Sequence, residues 1–417
     1  MLPFLLAAWA AVRSSGDILR QSRPVSWMLA AWFVLALWSS VQAQQPTAAL
    51  REVALTLGLV GVTLAVAAVV RQGLPSWLAP AMAAFSLFYA VATTLLFVTG
   101  ALVGGVASAW VLALGFDNPR FLNHAQTIQL PLLLAALHAS RGRWRTVAGL
   151  ALAFQIALLL YTRGRATQVA LVVAPILVYA IGLPGSRRFL RDCLLSGLAG
   201  GLVFLAIYLP LSFWVGSQQL WALPGDVGSM TIRMRLWVQA LASIQASPWL
   251  GLGPMHYSSL RMDQGAHPHN VYLQWAAEYG LPAALLMVAG LAMILWRALA
   301  FLRTHDAQAQ PFALAAFVAC VAALIDATFS GNFVMPVSQL WLALAFGLLL
   351  GHLPASTVPG HSRSWALVAW LLLVVQVGYA CMTLLDWLST PPHLGEALVL
   401  PPQGKLLPPR HWLHGWF

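Results

Sequence analysis

Residues 144–165 read WRTVAGLALAFQIALLLYTRGR. The stretch Trp144–Tyr161 is apolar enough and long enough to cross a bilayer as one helix, which takes roughly 17–25 mostly apolar residues. Arginines bracket it. Arg141, Arg143 and Arg145 crowd its start, and Arg163 and Arg165 follow its end. The same pattern recurs along the chain. Further candidate spans are Val25–Gln42, Val53–Val70, Ser76–Val98, Phe121–Ala139, Ala166–Leu183, Phe189–Phe213, Trp275–Trp296, Pro311–Phe329, Val334–Gly351 and Trp365–Leu388. Leu2–Val12 is too short to cross alone. The glycine-rich stretch Gly100–Phe116 either crosses or re-enters. Together these predict an all-α polytopic integral membrane protein with about 12 transmembrane helices.

Composition excludes the alternatives. Of 417 residues, 60% are hydrophobic and only 8% are charged, and mean hydropathy is +0.79. A soluble domain carries about 25% charged residues. A water-soluble enzyme, a disordered chain and a fibrous repeat are all incompatible with these values. Cys193, Cys320 and Cys381 fall inside predicted spans, which leaves no disulfide or zinc framework. The net charge is +11, and Lys405 is the only lysine among 22 cations. Arginine binds phosphate and carboxylate in a bidentate fork that lysine cannot reproduce. Membrane lipids are expected partners, and nucleic acid is not.

The placement of the arginines divides them. Cytoplasmic loops of membrane proteins are enriched in Arg and Lys. The clusters Arg141–Arg145, Arg187–Arg191 and Arg297–Arg303 are mutually consistent as cytoplasmic. The turn at 161–165 and the long segment 214–274 then face the other side. Arg163, Arg165, Arg233, Arg235 and Arg261 all fall there, where topology alone does not call for them. The expected organisation is an N-terminal transmembrane bundle (1–213), an outer helical loop with active-site residues (214–274), C-terminal spans (275–388) and a Pro-rich tail (389–417).

Within the outer loop, Met230–Ala246 has a helical pattern, with Leu236, Ala240 and Ile244 at four-residue spacing and Ser229 or Thr231 available as its cap. Arg233 and Trp237 share a face; Arg235 points about 200° away from Arg233 on 3.6-residue geometry. Ser247-Pro248 ends the helix, and a turn-rich passage, Trp249-Leu-Gly-Leu-Gly-Pro254, follows. In His267-Pro-His269-Asn270, Asn270 is positioned to cap a short helix, Val271–Tyr279, and Gly280 to end it. His269 then sits at the positive end of a helix, where an imidazolium is disfavoured. A neutral histidine is what a general base requires. His267 and His269, two residues apart, could instead hold a metal, although the outer segment offers only Asp226, Asp263 and Glu278 as carboxylates.

Several arginines, a neutral histidine and few acids on one membrane face suit glycosyl transfer from an anionic lipid diphosphate. The arginines offset the charge that builds on the leaving diphosphate. Three passages resemble the O-antigen ligase/polymerase superfamily of bacterial envelope enzymes. Tyr161-Thr-Arg163-Gly-Arg165 resembles its Ser-Arg-Gly segment, with Thr162 in place of Ser. Arg233-Met-Arg-Leu-Trp237, followed by Pro248-Trp-Leu-Gly251-Leu-Gly253, resembles its Arg…Trp…Pro-x-x-Gly-x-Gly signature. His269-Asn-Val-Tyr-Leu…Glu278-Tyr-Gly280 resembles its His-Asn-x-x-Leu…Glu-x-Gly signature. The resemblance implies a GT-C-like, metal-independent, cofactor-free glycosyltransferase with a helical periplasmic segment, located in the inner membrane of a Gram-negative bacterium. It implies His269 as base, with Arg163 and Arg233 on the diphosphate. Arg165 and Arg235, where the family pattern is looser, and Asn270 and His267 are further candidate substrate-binding residues. The implied donor is an undecaprenyl-diphosphate-linked glycan and the implied acceptor lipid A–core oligosaccharide. A polymerase or a protein O-oligosaccharyltransferase of the same superfamily remains an alternative, as do a lipid-linked-glycan flippase and a structural scaffold.

Overall fold

The computed structural model describes residues 23–116, 118–216, 226–260, 266–305 and 310–354, with 226–229 as backbone only. Among these, every regular element is helical. In chain order the helices are α1 (Arg23–Gln42), α2 (Pro46–Gln72), α3 (Leu78–Gly104), α4 (Pro119–Ala139), α5 (Arg143–Thr162), α6 (Arg165–Ala180), α7 (Ser186–Trp214), α8 (Asp226–Ala246), α9 (Val271–Tyr279), α10 (Leu281–Thr304), α11 (Pro311–Asp326) and α12 (Pro336–His352). Six of the described helices, α1, α2, α3, α5, α7 and α10, are long and apolar enough to cross a membrane, and α6, α11 and α12 are shorter apolar helices. On α7, Leu194, Leu195, Leu198, Leu202 and Leu205 are each 54–67% exposed. A run of exposed leucines on a helix whose backbone polar groups are internally bonded is stable in lipid and costly in water. The chain is an all-helical polytopic membrane protein.

Several expected boundaries shift. Gly100–Phe116 does not form a spanning helix: α3 ends at Gly104, Gly105 caps it in the left-handed region, and only a 3-10 turn at Val111–Ala113 follows. The expected span Trp275–Trp296 breaks at Gly280, so Trp275 belongs to α9 and the spanning helix starts at Leu281. The helix expected at Met230 already begins at Asp226, which puts Ser229 and Thr231 inside it and removes them as caps. Leu2–Val12, Arg261, Asp263, Trp365–Leu388 and the Pro-rich tail lie outside the described residues.

The described chain divides into two compact units. One takes Val70–Ser229 and Arg297–Leu353. Its centre is α4, a helix whose middle is buried on all sides and rich in polar side chains. Asn118 caps α4, its side chain accepting the Arg120 N–H at 2.8 Å, and Pro119 occupies the first turn. Gln126 donates to the Gln155 side chain and to its carbonyl, both at 2.9 Å, while Gln155 donates to the Ser86 carbonyl at 3.1 Å. Gln129 donates to the Ser86 hydroxyl at 2.8 Å. In a medium without water such groups must satisfy one another; the Gln126 and Gln129 bonds tie α4 to α5 and α3, and the Gln155 bond ties α5 to α3. Asp326, fully buried at the end of α11, accepts from Ser330 at 2.7 Å and from Thr127 at 3.3 Å and faces His124 at 3.8 Å. Asp192 accepts from Arg191 and bonds His138 at 2.8 Å.

The other unit takes the described residues through Val69 together with Met230–Trp296. Two sequence passages form its frame by backbone contact. Leu252 N–H donates to the Ala277 carbonyl, Gly253 N–H to the Glu278 carbonyl, both at 2.9 Å, and Leu281 N–H to the Pro248 carbonyl at 2.8 Å. The approach is so close that a Cβ on Gly251 would lie 2.5 Å from the Glu278 carbonyl, and one on Gly280 would overlap the Trp249 carbonyl. Gly280 also holds φ 83, ψ 163, a region open essentially to glycine alone. The Glu278 carboxylate, almost wholly buried, accepts from the Tyr257 N–H at 3.1 Å and from Gln274 at 3.2 Å. From α1, the Ser39 hydroxyl reaches the Leu250 carbonyl at 2.5 Å and the Glu278 carbonyl at 3.2 Å. Gly280→Ala is expected to destabilise this unit by roughly 2–4 kcal/mol through forced backbone strain and overlap. Thermal unfolding of the purified protein in detergent measures it, and an unchanged midpoint would contradict the contact described.

Candidate active site

The unit framed by these glycines carries the histidine pair. Leu236 and Ala240 of α8 are buried against Tyr257 and Ala277, with Ile244 packed on the same cluster. This is the stripe that four-residue spacing predicts. Tyr257 locks the arrangement by donating its hydroxyl to the Leu236 carbonyl at 2.7 Å. Packing that stripe inward fixes the other residues of α8. Arg233 is half-buried, Arg235 is exposed, and Trp237 donates its indole N–H to the Pro268 carbonyl at 3.0 Å. The loop 267–269 is therefore held from α8 by Trp237, one turn from Arg233.

At the other end of the loop, Asn270 is extended and its side chain accepts the Leu273 N–H at 3.0 Å, which starts α9 as expected. Asn270 thus acts first as a helix cap. His267 is buried, and its Nδ1 accepts the His269 backbone N–H at 3.2 Å. That lone pair is in use, so the His267 proton resides on Nε2. The two rings lie 4.2 Å apart between centroids. His269 has φ 52, an uncommon conformation for a residue with a side chain. Burial, and secondly the Arg233 guanidinium, push its pKa down from the ordinary 6.5 to about 4. Both causes act against the imidazolium, so His269 is neutral at neutral pH. Among the described residues, no three His, Cys, Asp or Glu side chains come together.

Arg163 and Arg165 belong to the unit centred on α4. Arg163 ends α5 in the left-handed region (φ 55, ψ 45), its N–H donating to the Leu159 carbonyl at 3.1 Å. Gly164 (φ −70, ψ 73) is the centre of an inverse γ-turn, closed by the Arg165 N–H on the Arg163 carbonyl at 2.9 Å. Arg165 then opens α6. Arg163 is half-buried and Arg165 exposed. Asn123 of α4 donates to the Thr162 hydroxyl at 2.7 Å, and a Cβ on Gly164 would lie 2.6 Å from the Asn123 side chain. The Thr-Arg-Gly order therefore has a local cause: a bonded hydroxyl, a left-handed arginine and a glycine pressed on α4. Sequence reasoning missed Asn123 and Arg120, whose contacts with this turn span about forty residues of chain.

An arginine beside a neutral, partly buried histidine combines a cation suited to an anion with a group able to accept a proton. Residues 148–288 match the family model described as O-Antigen ligase. Over that segment the chain is similar to an O-antigen ligase-like superfamily, whose members are membrane glycosyltransferase-like enzymes, ligases or polymerases. No curated protein matches the chain. All seven residues singled out from sequence, Arg163, Arg165, Arg233, Arg235, His267, His269 and Asn270, lie inside the matched segment.

The pH response of His269 has a definite sign. An unfolded imidazole protonates near 6.5 and the folded one near 4. Acidification between those values loads protons onto the unfolded chain first and so weakens the folded unit. A histidine NMR titration should place His269 near 4. Arg233→Gln removes the secondary cause and should move the midpoint upward while leaving it below 6.5. A wild-type midpoint at 6.5 would sink this description of the site.

Proposed function

We propose that the chain is a lipopolysaccharide O-antigen ligase. It transfers an undecaprenyl-diphosphate-linked glycan to a hydroxyl of lipid A–core oligosaccharide on the periplasmic face of the bacterial inner membrane. The observation that carries this reading is a neutral His269 beside Arg233, inside the segment that matches the O-antigen ligase family. His269 takes the proton of the acceptor hydroxyl. The oxygen forms a bond to the anomeric carbon, the bond from that carbon to the lipid diphosphate breaks, and the diphosphate leaves as an anion. Arg233, beside His269, binds the diphosphate; the family resemblance adds Arg163 as a diphosphate ligand, with Arg165 and Arg235 as further candidate cations. The guanidinium fork takes up the developing charge, so the step needs no divalent metal.

The weak basicity of His269 fits this order of events. With the site empty, Arg233 disfavours the imidazolium. When the donor diphosphate occupies Arg233, that positive charge is compensated and the imidazole becomes a better proton acceptor. Donor binding and base activation are then one electrostatic event. The acid limb of kcat, which reports the loaded enzyme, should lie at higher pH than the acid limb of kcat/KM, which reports the free enzyme. Coincident limbs would contradict the coupling.

His269→Ala should reduce glycan transfer at least ~100-fold, the usual worth of a positioned base, while the protein still inserts and purifies as wild type. Complementation of a ligase-deficient strain, read as the lipopolysaccharide ladder, provides the test. A normal ladder removes His269 from the mechanism. In a reconstituted assay offering lipid A–core and free repeat units side by side, transfer to lipid A–core in the presence of EDTA is expected. Chain growth on repeat units alone would make the enzyme a polymerase, and activity that EDTA abolishes and Mg²⁺ restores would end the metal-independent reading.

A further inference from the structure

The arginine turn at 162–165 is held by a residue that lies outside the segment matching the family. Arg120 sits in the first turn of α4, where the Asn118 cap and Pro119 fix its backbone. Its Nη1 donates to the Thr162 carbonyl at 3.3 Å and to the Arg163 carbonyl. These are the last carbonyls of α5, the negative end of that helix, which the helix itself leaves unbonded. A guanidinium there stabilises the helix end and, by gripping two successive carbonyls, fixes the path of the chain through Arg163. The Arg163 carbonyl also receives the Arg165 N–H. It is thus the shared acceptor through which Arg120 constrains both arginines of the turn. The need for such a grip is plain from the backbone: a left-handed residue with a side chain is disfavoured and persists only where its surroundings impose it.

We propose that Arg120 is a positioning residue for anion binding by the arginine turn. It touches no substrate; it holds the Arg163 backbone in the left-handed conformation that directs the Arg163 guanidinium to the donor. This rests on the reading of Arg163 as a diphosphate ligand. It assigns a role to a residue that no motif in the sequence marks. Arg120 is cationic itself, yet its contribution comes from a backbone grip, so lysine, which places a single compact ammonium rather than a fork, replaces it only in part.

The test uses the full-length enzyme in proteoliposomes with a lipid-diphosphate-linked glycan, comparing Arg120→Gln, Arg120→Lys, Arg163→Gln and the double Gln variant. Arg120→Gln should raise donor KM about 10-fold with kcat within about two-fold, Arg120→Lys should recover part of that loss, and the double variant should be no worse than Arg163→Gln alone. Amide hydrogen exchange supplies an arm independent of activity: the Arg165 amide should exchange roughly 10-fold faster in Arg120→Gln than in wild type, with the helix interiors unchanged. Multiplicative effects on KM in the double variant, or unaltered exchange at Arg165, would overturn the proposal. A loosened turn combined with a normal donor KM in Arg163→Gln would mark the failure as that of the diphosphate reading, with the grip itself intact.

Discussion

Two backbones, one on either side of Gly251 and Gly280, approach more closely than any pair of side-chain-bearing residues permits. Much of the histidine-bearing unit hangs on that contact. It brings the turn after α8 against the end of α9, which places the Glu278 carboxylate where it can hold the Tyr257 backbone. Tyr257 in turn fixes Leu236 on α8, and the same helix offers Trp237 to the loop that ends in His269. The positions of His269 and Arg233 thus depend on Glu278 and Tyr257 as well as on α8 itself. In a low-dielectric setting this indirect rigidity matters, because an arginine displaced by a single rotamer would lose its hold on an anion.

The scarcity of acids has a structural counterpart. Glu278, Asp326 and Asp192 are each occupied by protein donors: a backbone N–H and an amide, two hydroxyls, and an arginine with a histidine. These carboxylates work as internal cross-links. The Arg233–His269 pair is left as an electropositive setting in which imidazole stays neutral. Such a setting favours an anion and disfavours a proton on His269.

Local chemistry was legible in the sequence, and distant chemistry was not. Asn270 caps α9 and Gly280 ends it because a side-chain oxygen three residues ahead of an N–H, and a residue without a Cβ, act within one turn. The opposed directions of Arg233 and Arg235 followed from helical periodicity once the apolar stripe of α8 was recognised. Hydropathy located the six described helices that are long and apolar enough to cross but misjudged where Trp275 belongs, since an apolar short helix and an apolar spanning helix look continuous across a single glycine. The start of α8 at Asp226 overrode two good capping residues downstream. Arg120 and Asn123 could not be found at all, because their partners are set by the packing of α4 on α5. Nor does any local pattern announce that His269 is left-handed.

The interlock of Gly251 with Glu278 and Gly280 also sets a rule for engineering. The passages 248–253 and 278–281 are separated in the chain yet behave as one mechanical part, since each supplies the surface that the other lacks. A chimera that imports the histidine-bearing segment from another protein must therefore import the glycine turn with it. Exchanging one half alone would seat a foreign backbone in a groove with no room for adjustment.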